Sequence, residues 1–285
     1  MKKFKLLLVG LVCLFGATGC FGSDDMEDIN IKTTTYPLTY LANTIYGEHS
    51  TIESIYPNGV DKNTYELTTK QVKEYAKNDL FIYNGLTNER SIAANFINKN
   101  KNLKVIDVTK GISLTSGEEE LWLYPSNYLM LAQNIKNELL EYVSSTIIKQ
   151  EIEENYDELK LMVSKYDAEF KMIAENAASK TIIVGNDVFH FLTKYGFNVI
   201  SLDPDTEGKN LTDAKNALTS NSANYVFTLN TDAENEDVKK LIDAGAKEVK
   251  VKSMINLTDE DIKNNVDYKS MMTEFIESVR NEAYN

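Results

Sequence analysis

Cysteine is nearly absent from this 285-residue chain: Cys13 and Cys20 are the two, both within the first twenty residues. A disulfide framework is therefore excluded for the folded part, whose stability must come from a packed apolar core. Histidine is equally scarce, with only His49 and His190, so no His pair at metal-binding spacing and no Ser/His/Asp constellation is available. Four prolines and 13 glycines are scattered, leaving no long flexible linker after about residue 30 and no phosphate-cradling glycine loop. Positive charge is short as well: 30 Lys and Arg face 43 Asp and Glu, a net charge of -13. Without a basic cluster, nucleic acid is not an expected partner. The apolar run from Leu6 to Phe15 is too short to span a bilayer, which takes about 20 apolar residues.

What the N-terminus does contain is ordered. Lys2, Lys3 and Lys5 precede the apolar run, and Ala17-Thr18-Gly19-Cys20 follows it. A basic region, a short apolar region and small residues before a cysteine predict a lipoprotein signal over 1–19, with Cys20 as the lipidated first residue of the mature protein. Residues 20–29 are polar and acidic and read as a tether. The expected location is extracytoplasmic, at the cell membrane through the lipid. Loss of the three lysines of the signal would take the net charge from -13 to -16.

Beyond the tether, strand-like runs alternate with helical patterns. Ile31 to Thr35, Thr51 to Tyr56, Leu80 to Tyr83 and Leu103 to Val108 are rich in β-branched and aromatic residues. Thr181 to Gly185, Asn198 to Leu202, Tyr225 to Leu229 and Glu248 to Lys252 repeat the rhythm. Helices are expected over Pro37 to Tyr46, after a capping box at Thr68 to Gln71, and near 187–194, 211–221, 235–244 and 266–282. Between the two sets, Tyr156, Leu159, Val163, Tyr166, Phe170, Ile173 and Ala177 recur at spacings of three and four, one unbroken helical stripe. The expected fold is α/β: two lobes, each a mainly parallel four-stranded sheet with flanking helices, joined by one long linker helix. The boundaries drawn are 30–150 for the first lobe, 151–178 for the linker and 179–285 for the second lobe.

Ligands of open parallel sheets bind beyond the carboxyl ends of the strands. That rule selects Thr35-Tyr36, Pro57 to Tyr65, Asn84 to Glu89 and Glu118 to Trp122 in the first lobe. In the second it selects Asn186, Asp203 to Glu207, Thr228 to Asp232 and Lys252-Ser253. Within these segments, Thr35-Tyr36-Pro37-Leu38, Gly59-Val60-Asp61 with Tyr65 and Thr68, Tyr83-Asn84-Gly85-Leu86 with Glu89, Trp122-Leu123 with Pro125 and Asn127, and Tyr195-Gly196 form an ordered set. The set resembles the zinc- and manganese-binding substrate-binding lipoproteins of ABC importers, some of them adhesin-like. The resemblance covers nearly the whole mature chain and implies two α/β lobes, a bound zinc or manganese ion, an ABC permease as partner and a monomer.

It also implies four ligand positions, three histidines and a carboxylate, one on each of four loops. This sequence departs at all of them. The family's Asp-Pro-His is Asp61-Lys62-Asn63 in the first loop and Glu118-Glu119-Glu120 before the tryptophan. The third histidine falls on Asn186 and the carboxylate on Lys252. Zinc prefers imidazole or thiolate, whereas Asn63, Glu120 and Asn186 offer oxygen, which suits manganese, magnesium or calcium. A Lys252–Glu120 ion pair bridging the lobes in place of the metal is one expectation; a polar organic solute held by Asn63, Asn84, Glu89, Glu120, Asn186 and Lys252 is another. Thr35, Tyr36, Tyr65, Asn84, Glu89 and Trp122 are candidate cleft lining, with Trp122 also a core candidate. The triplet Glu118 to Glu120 also reads as a solvated loop. His49 is expected on the surface; His190, four residues after Asn186 on the same expected helix face, is expected to pack beneath the site, with a displaced ligand as the alternative. The leading function is a solute-binding lipoprotein of an ABC importer; the alternatives are a surface adhesin on the same scaffold and, least supported, an enzyme.

Overall fold

In the computed structural model, residues 26–112, 120–204 and 210–285 are described. The leader with Cys20, and Glu118, Glu119 and residues 205–209, lie outside them. Among the described residues no helix is long and apolar enough to cross a membrane.

Strands form where β-branched and aromatic residues cluster. β1 (Ile29–Thr33), β2 (Ser50–Ser54), β3 (Leu80–Tyr83) and β4 (Lys104–Asp107) make one parallel sheet in the order β2-β1-β3-β4. β5 (Thr181–Val184), β6 (Asn198–Ser201), β7 (Tyr225–Leu229) and β8 (Lys247–Val251) make a second, in the order β6-β5-β7-β8. The register stacks apolar residues in rows: Ile31 pairs with Ile52 and Leu80, and Ile183 with Ile200 and Val226. In each sheet the chain leaves the central strand toward one neighbour and returns on the other side. Each lobe therefore has a switch point at which adjacent loops diverge and leave a crevice.

Helices cover both faces. α1 (Tyr36–Tyr46) carries Pro37 in its first turn, where the missing amide has no partner to lose. α2 (Thr69–Tyr75) opens with the Thr68/Gln71 capping box. α3 (Glu89–Lys99) and α4 (Pro125–Tyr142) complete the first lobe, and α6 (Asn210–Thr219), α7 (Glu236–Asp243), α8 (Asp259–Lys263) and α9 (Tyr268–Ala283) belong to the second. One continuous apolar core runs through both lobes, with a satellite cluster under α2 and α3 and another under α6 and α7.

α5 (Thr146–Asn176) joins the lobes as a single rod of 31 residues, about 46 Å long at 1.5 Å per residue. It starts earlier than the stripe suggested, at a Ser145 cap. Its first half bonds to the first lobe: Asn155 Nδ2 donates to the Ile45 carbonyl at 3.2 Å, and Glu151 meets His49 Nε2 at 2.6 Å. Its second half bonds to the second lobe: Tyr195 Oη donates to Asp167 Oδ1 at 2.7 Å, and Arg280 pairs with Glu169.

Both histidines differ from expectation. His49 is not a free surface group, because Glu151 and the Tyr46 ring enclose it. His190 is exposed instead of packed. Its segment, Asp187–Tyr195, is a 3-10 helix, in which residues three apart are stacked and residues four apart are not; the α-helical face shared by Asn186 and His190 therefore does not exist.

A segment after β8 straps the second lobe to the first. The Ile255 carbonyl accepts from Tyr36 N at 2.9 Å and the Leu257 carbonyl from Gly59 N at 2.9 Å. Asn256 Nδ2 donates to the carbonyls of Pro57 at 2.7 Å and Val60 at 3.1 Å. Trp122 Nε1 donates to the Ser253 carbonyl at 2.7 Å, while Tyr268 Oη donates to the Trp122 carbonyl at 2.8 Å.

Candidate functional site

The carboxyl ends of both sheets face one cleft of about 560 Å³. The first lobe contributes Gly59 to Asn63 and Glu120; the second contributes Asn186, Leu229 to Ala233, and Ser253, Ile255, Asn256 and Thr258. An adjoining hollow of about 340 Å³ continues it over the β5/β7 switch point and shares Asn186, Leu229, Asp232 and Ala233. A larger hollow of about 800 Å³ runs over β1 and β2 beside α2, from Asn30 and Asn78 to Tyr56, Asn58 and Leu257. The interlobe cleft, where loops at the carboxyl ends of both sheets converge, is the functional candidate.

On the first-lobe wall, Asp61 turns the chain: its Oδ1 accepts from Asn63 N at 2.9 Å, a side-chain turn with the Asn63 side chain exposed. Lys62 points inward. Its Nζ lies 3.4 Å from Glu89 Oε1, and the two side chains are 5% and 0% exposed. Glu89 Oε2 accepts from Asn84 N at 2.8 Å. Burial pushes the Glu89 carboxyl above the ordinary range, and the Lys62 charge opposes that rise. Lys62 thus brings no uncompensated positive charge to the cleft.

On the second-lobe wall, Asn186 is bonded at both ends of its amide. Its Oδ1 accepts from Val188 N at 2.9 Å and caps the following helical segment, while its Nδ2 donates to Asp232 Oδ1 at 2.7 Å. The other carboxylate oxygen, Asp232 Oδ2, accepts from Leu229 N at 2.7 Å. Burial raises the Asp232 carboxyl above its ordinary value, Asp203 and Glu248 add to the rise, and the donors Leu229 N and Asn186 oppose it. Lys250, which pairs with Glu248, and Lys239 and Glu236 on α7 also border this hollow.

Asn63, Glu120 and Asn186, three of the four residues expected as ligand positions from the resemblance, line the cleft together. Lys252 does not join them. It is paired with Asp261 on α8, so the expected Lys252–Glu120 bridge is replaced by a local ion pair closing the loop after β8. The link between lobes is the backbone strap just beyond it. Thr35, Tyr36, Tyr65, Asn84, Glu89 and Trp122 stand outside the described lining of the cleft. Thr35 precedes α1, Tyr36 N holds the strap, Tyr65 Oη accepts from Gln71 Nε2 at 2.6 Å, and Asn84 and Glu89 are buried behind Lys62. Trp122 is 1% exposed and belongs to the core. Asp232 is the cleft carboxylate that the family correspondence passes over, although it ends the Thr228 to Asp232 segment selected by the strand-end rule.

The family model described as zinc-uptake complex component A, periplasmic, matches residues 31–282. The chain belongs to this zinc-uptake component family. Among curated proteins it is 25% identical over 317 residues to the zinc-binding lipoprotein AdcA of Streptococcus pneumoniae, covering 98% of this chain and 61% of that protein. It is 27% identical over 214 residues to the manganese ABC transporter substrate-binding lipoprotein PsaA of the same species, covering 69% of this chain and 68% of that protein. The chain therefore spans less than two thirds of the AdcA relative. Among solved structures, the Zn(II)-bound ZnuA-like domain of Streptococcus pneumoniae AdcA superposes with a TM-score of 0.72 at 21% identity, covering 90% of this chain and 100% of that one. The metal-dependent lipoprotein YcdH of Bacillus subtilis gives 0.74 at 19% identity, with coverages of 90% and 100%. These likenesses establish the two-lobed fold with its long linking helix. Against that family background, no group of three or more His, Cys, Asp or Glu suited to a metal ion occurs among the described residues, and the cleft lining contains neither imidazole nor thiolate.

Proposed function

We propose that the chain is the solute-binding component of an ABC importer of the metal-uptake type, receiving its cargo in the interlobe cleft and delivering it to a permease. The action is binding and hand-over, without turnover of the cargo. Cys20 carries the lipid that holds the protein, a monomer, at the outer face of the membrane beside its permease. One observation carries the reading: polar groups from loops of both lobes converge at the carboxyl ends of the two sheets, the place where a fold of this family can enclose a small solute.

The test is a metal analysis of the purified protein combined with a thermal-shift screen of manganese, zinc, calcium, magnesium and polar metabolites. A ligand that binds only the folded state at a hundred times its Kd stabilises it by about 2.7 kcal/mol, a shift such a screen reads easily. We expect at least one cation to raise Tm and to co-purify or compete. A well-folded protein whose Tm answers to nothing in the panel would sink the importer reading and leave a surface adhesin on the same scaffold.

A further inference from the structure

We infer that Asn58-Gly59 is a self-modifying site: an exposed asparaginyl-glycine step, in the turn that the strap grips, whose deamidation loosens the join between the lobes. The inference goes beyond the importer role and does not depend on it.

The chain contains two Asn-Gly steps, Asn58-Gly59 and Asn84-Gly85. Asparagine is a thermolabile side chain, and glycine has no side chain to shield its nitrogen from the residue before it. In such a step the Gly nitrogen gives up its proton and attacks the Asn side-chain carbonyl. A bond forms from that nitrogen to Asn Cγ, the side-chain amide leaves as ammonia, and a cyclic succinimide remains. Water then opens the ring at either carbonyl, yielding aspartate or β-linked isoaspartate; no other reactant is consumed. The fold separates the two steps. Asn84 is 3% exposed, its Oδ1 accepts from Leu86 N at 3.0 Å, and Gly85 N donates to Asp107 Oδ1 at 3.1 Å. A Cβ on Gly85 would lie 1.9 Å from Asp107 Oδ2, so the Asp107 carboxylate closes over this step and leaves no room for ring closure.

Asn58 and Gly59 are both exposed. They form the middle of a turn in which Val60 N donates to the Pro57 carbonyl at 3.4 Å, with Gly59 at φ +71°, the positive φ that the third residue of a type II turn requires. Four hydrogen bonds tie this turn to the second lobe. Gly59 N donates to the Leu257 carbonyl, Asn256 Nδ2 donates to the Pro57 and Val60 carbonyls, and Asn58 Nδ2 donates to Asp259 Oδ1 at 3.2 Å. The reacting nitrogen is thus the same amide that anchors the strap. While the Leu257 carbonyl accepts from it the proton is retained, and local opening of the strap frees it. The product acts back on the same contact. A carboxylate at position 58 loses the donor to Asp259 and meets it with like charge, beside a helical turn that already carries Glu260 and Asp261. The isoaspartate form also adds a methylene to the main chain between the two carbonyls that Asn256 bridges. Deamidation therefore weakens the strap that delays it, at Gly59, Val60 and Asn256, which also line the cleft.

The experiment is peptide mapping by mass spectrometry of the full mature chain, aged at physiological temperature and mildly alkaline pH. In the folded chain we expect amide-to-acid conversion at Asn58 to outpace that at Asn84 by about tenfold, and in concentrated urea, where neither step is shielded, we expect comparable rates. Asn256→Ala should speed the Asn58 reaction by about tenfold, because the strap opens more often. Asn58→Asp should lower Tm by about 2 °C, a deficit that concentrated salt reduces, whereas Asn58→Ala, which loses the donor without gaining charge, should show no salt response. Aged wild type should lose the Tm that Asn58→Asp loses, and aged Asn58→Gln, whose longer side chain cyclises poorly, should keep its own. An Asn58 amide as long-lived as that of Asn84, an Asn256→Ala rate equal to that of the wild type, or an Asn58→Asp chain with the wild-type Tm would overturn the inference. None of these results bears on cargo binding, so the importer reading stands or falls separately.

Discussion

At the scale of single residues, the buried pair beneath the cleft has the clearest energetic consequence. The Lys62 ammonium reaches back to Glu89, whose side chain is fully buried. Breaking such a pair from one side leaves an uncompensated buried charge, at a cost of about 3–5 kcal/mol. Lys62→Met should lower the urea-unfolding free energy at neutral pH by that order. The pH dependence follows from the direction of the shift. Burial raises the folded Glu89 carboxyl above its unfolded value, so between the two values the folded state holds the extra proton. Stability contributed by that proton is present at low pH and lost as pH rises through the folded value. Glu89→Gln should flatten this part of the stability profile, and Lys62→Met should steepen it, since the charge that opposes the shift is gone. Denaturant melts across the mildly acidic to neutral range measure both slopes; parallel profiles for the three proteins would refute the assignment.

At the scale of elements, the strap after β8 connects the two walls of the cleft. Asn256 makes two of its bonds, to the Pro57 and Val60 carbonyls. Asn256→Ala should destabilise the protein by about 1–3 kcal/mol, because both carbonyls lose a donor next to the cleft; the Tm of the cargo-free protein reads this directly. The same region shows where sequence legibility ends. β3 and β7 are bounded in the sequence because Leu80 to Tyr83 and Tyr225 to Leu229 are short apolar runs, and the Thr68 cap is legible because its partner Gln71 is three residues away. α3 escapes the periodicity because its buried residues are Glu89, Ala93 and Phe96, too few and too polar for an apolar stripe. α4 does carry such a stripe, from Tyr128 through Leu131, Ala132 and Ile135 to Leu139, although it is not among the expected helices. Lys252 shows the opposite case: its alignment with a family carboxylate suggested a partner across the cleft, whereas Asp261, nine residues on, is reached by the local chain path. Asp232 was selected by the strand-end rule but not by the family correspondence, because the resemblance assigns none of its four expected ligand positions to the loop after β7.

At the scale of the whole molecule, three connections limit how far the lobes can move. α5 is bonded into the first lobe through Asn155 and Glu151 and into the second through Asp167 and Glu169. The strap crosses beside the cleft, and the apolar core is continuous between lobes, with the Tyr128 and Tyr268 rings stacked at 4.0 Å. Hinge closure needs a few residues free to absorb large backbone rotations, yet each connection here is an element packed or hydrogen-bonded on both sides. Cargo should therefore be received in a cleft that is already spaced, with rearrangement confined to the loops that carry Asn63, Glu120 and Asp232. Small-angle X-ray scattering should give superimposable profiles for the cargo-free and cargo-loaded chain, whereas a closing two-lobed receptor would show a smaller radius of gyration when loaded. Asn256→Ala sharpens the comparison: if the strap sets the spacing, this variant should expand slightly when empty and return to the wild-type profile when loaded, and its affinity should fall by the fraction of molecules that must be drawn back into register. An unchanged affinity with an expanded empty state would mean that α5 and the core alone set the cleft.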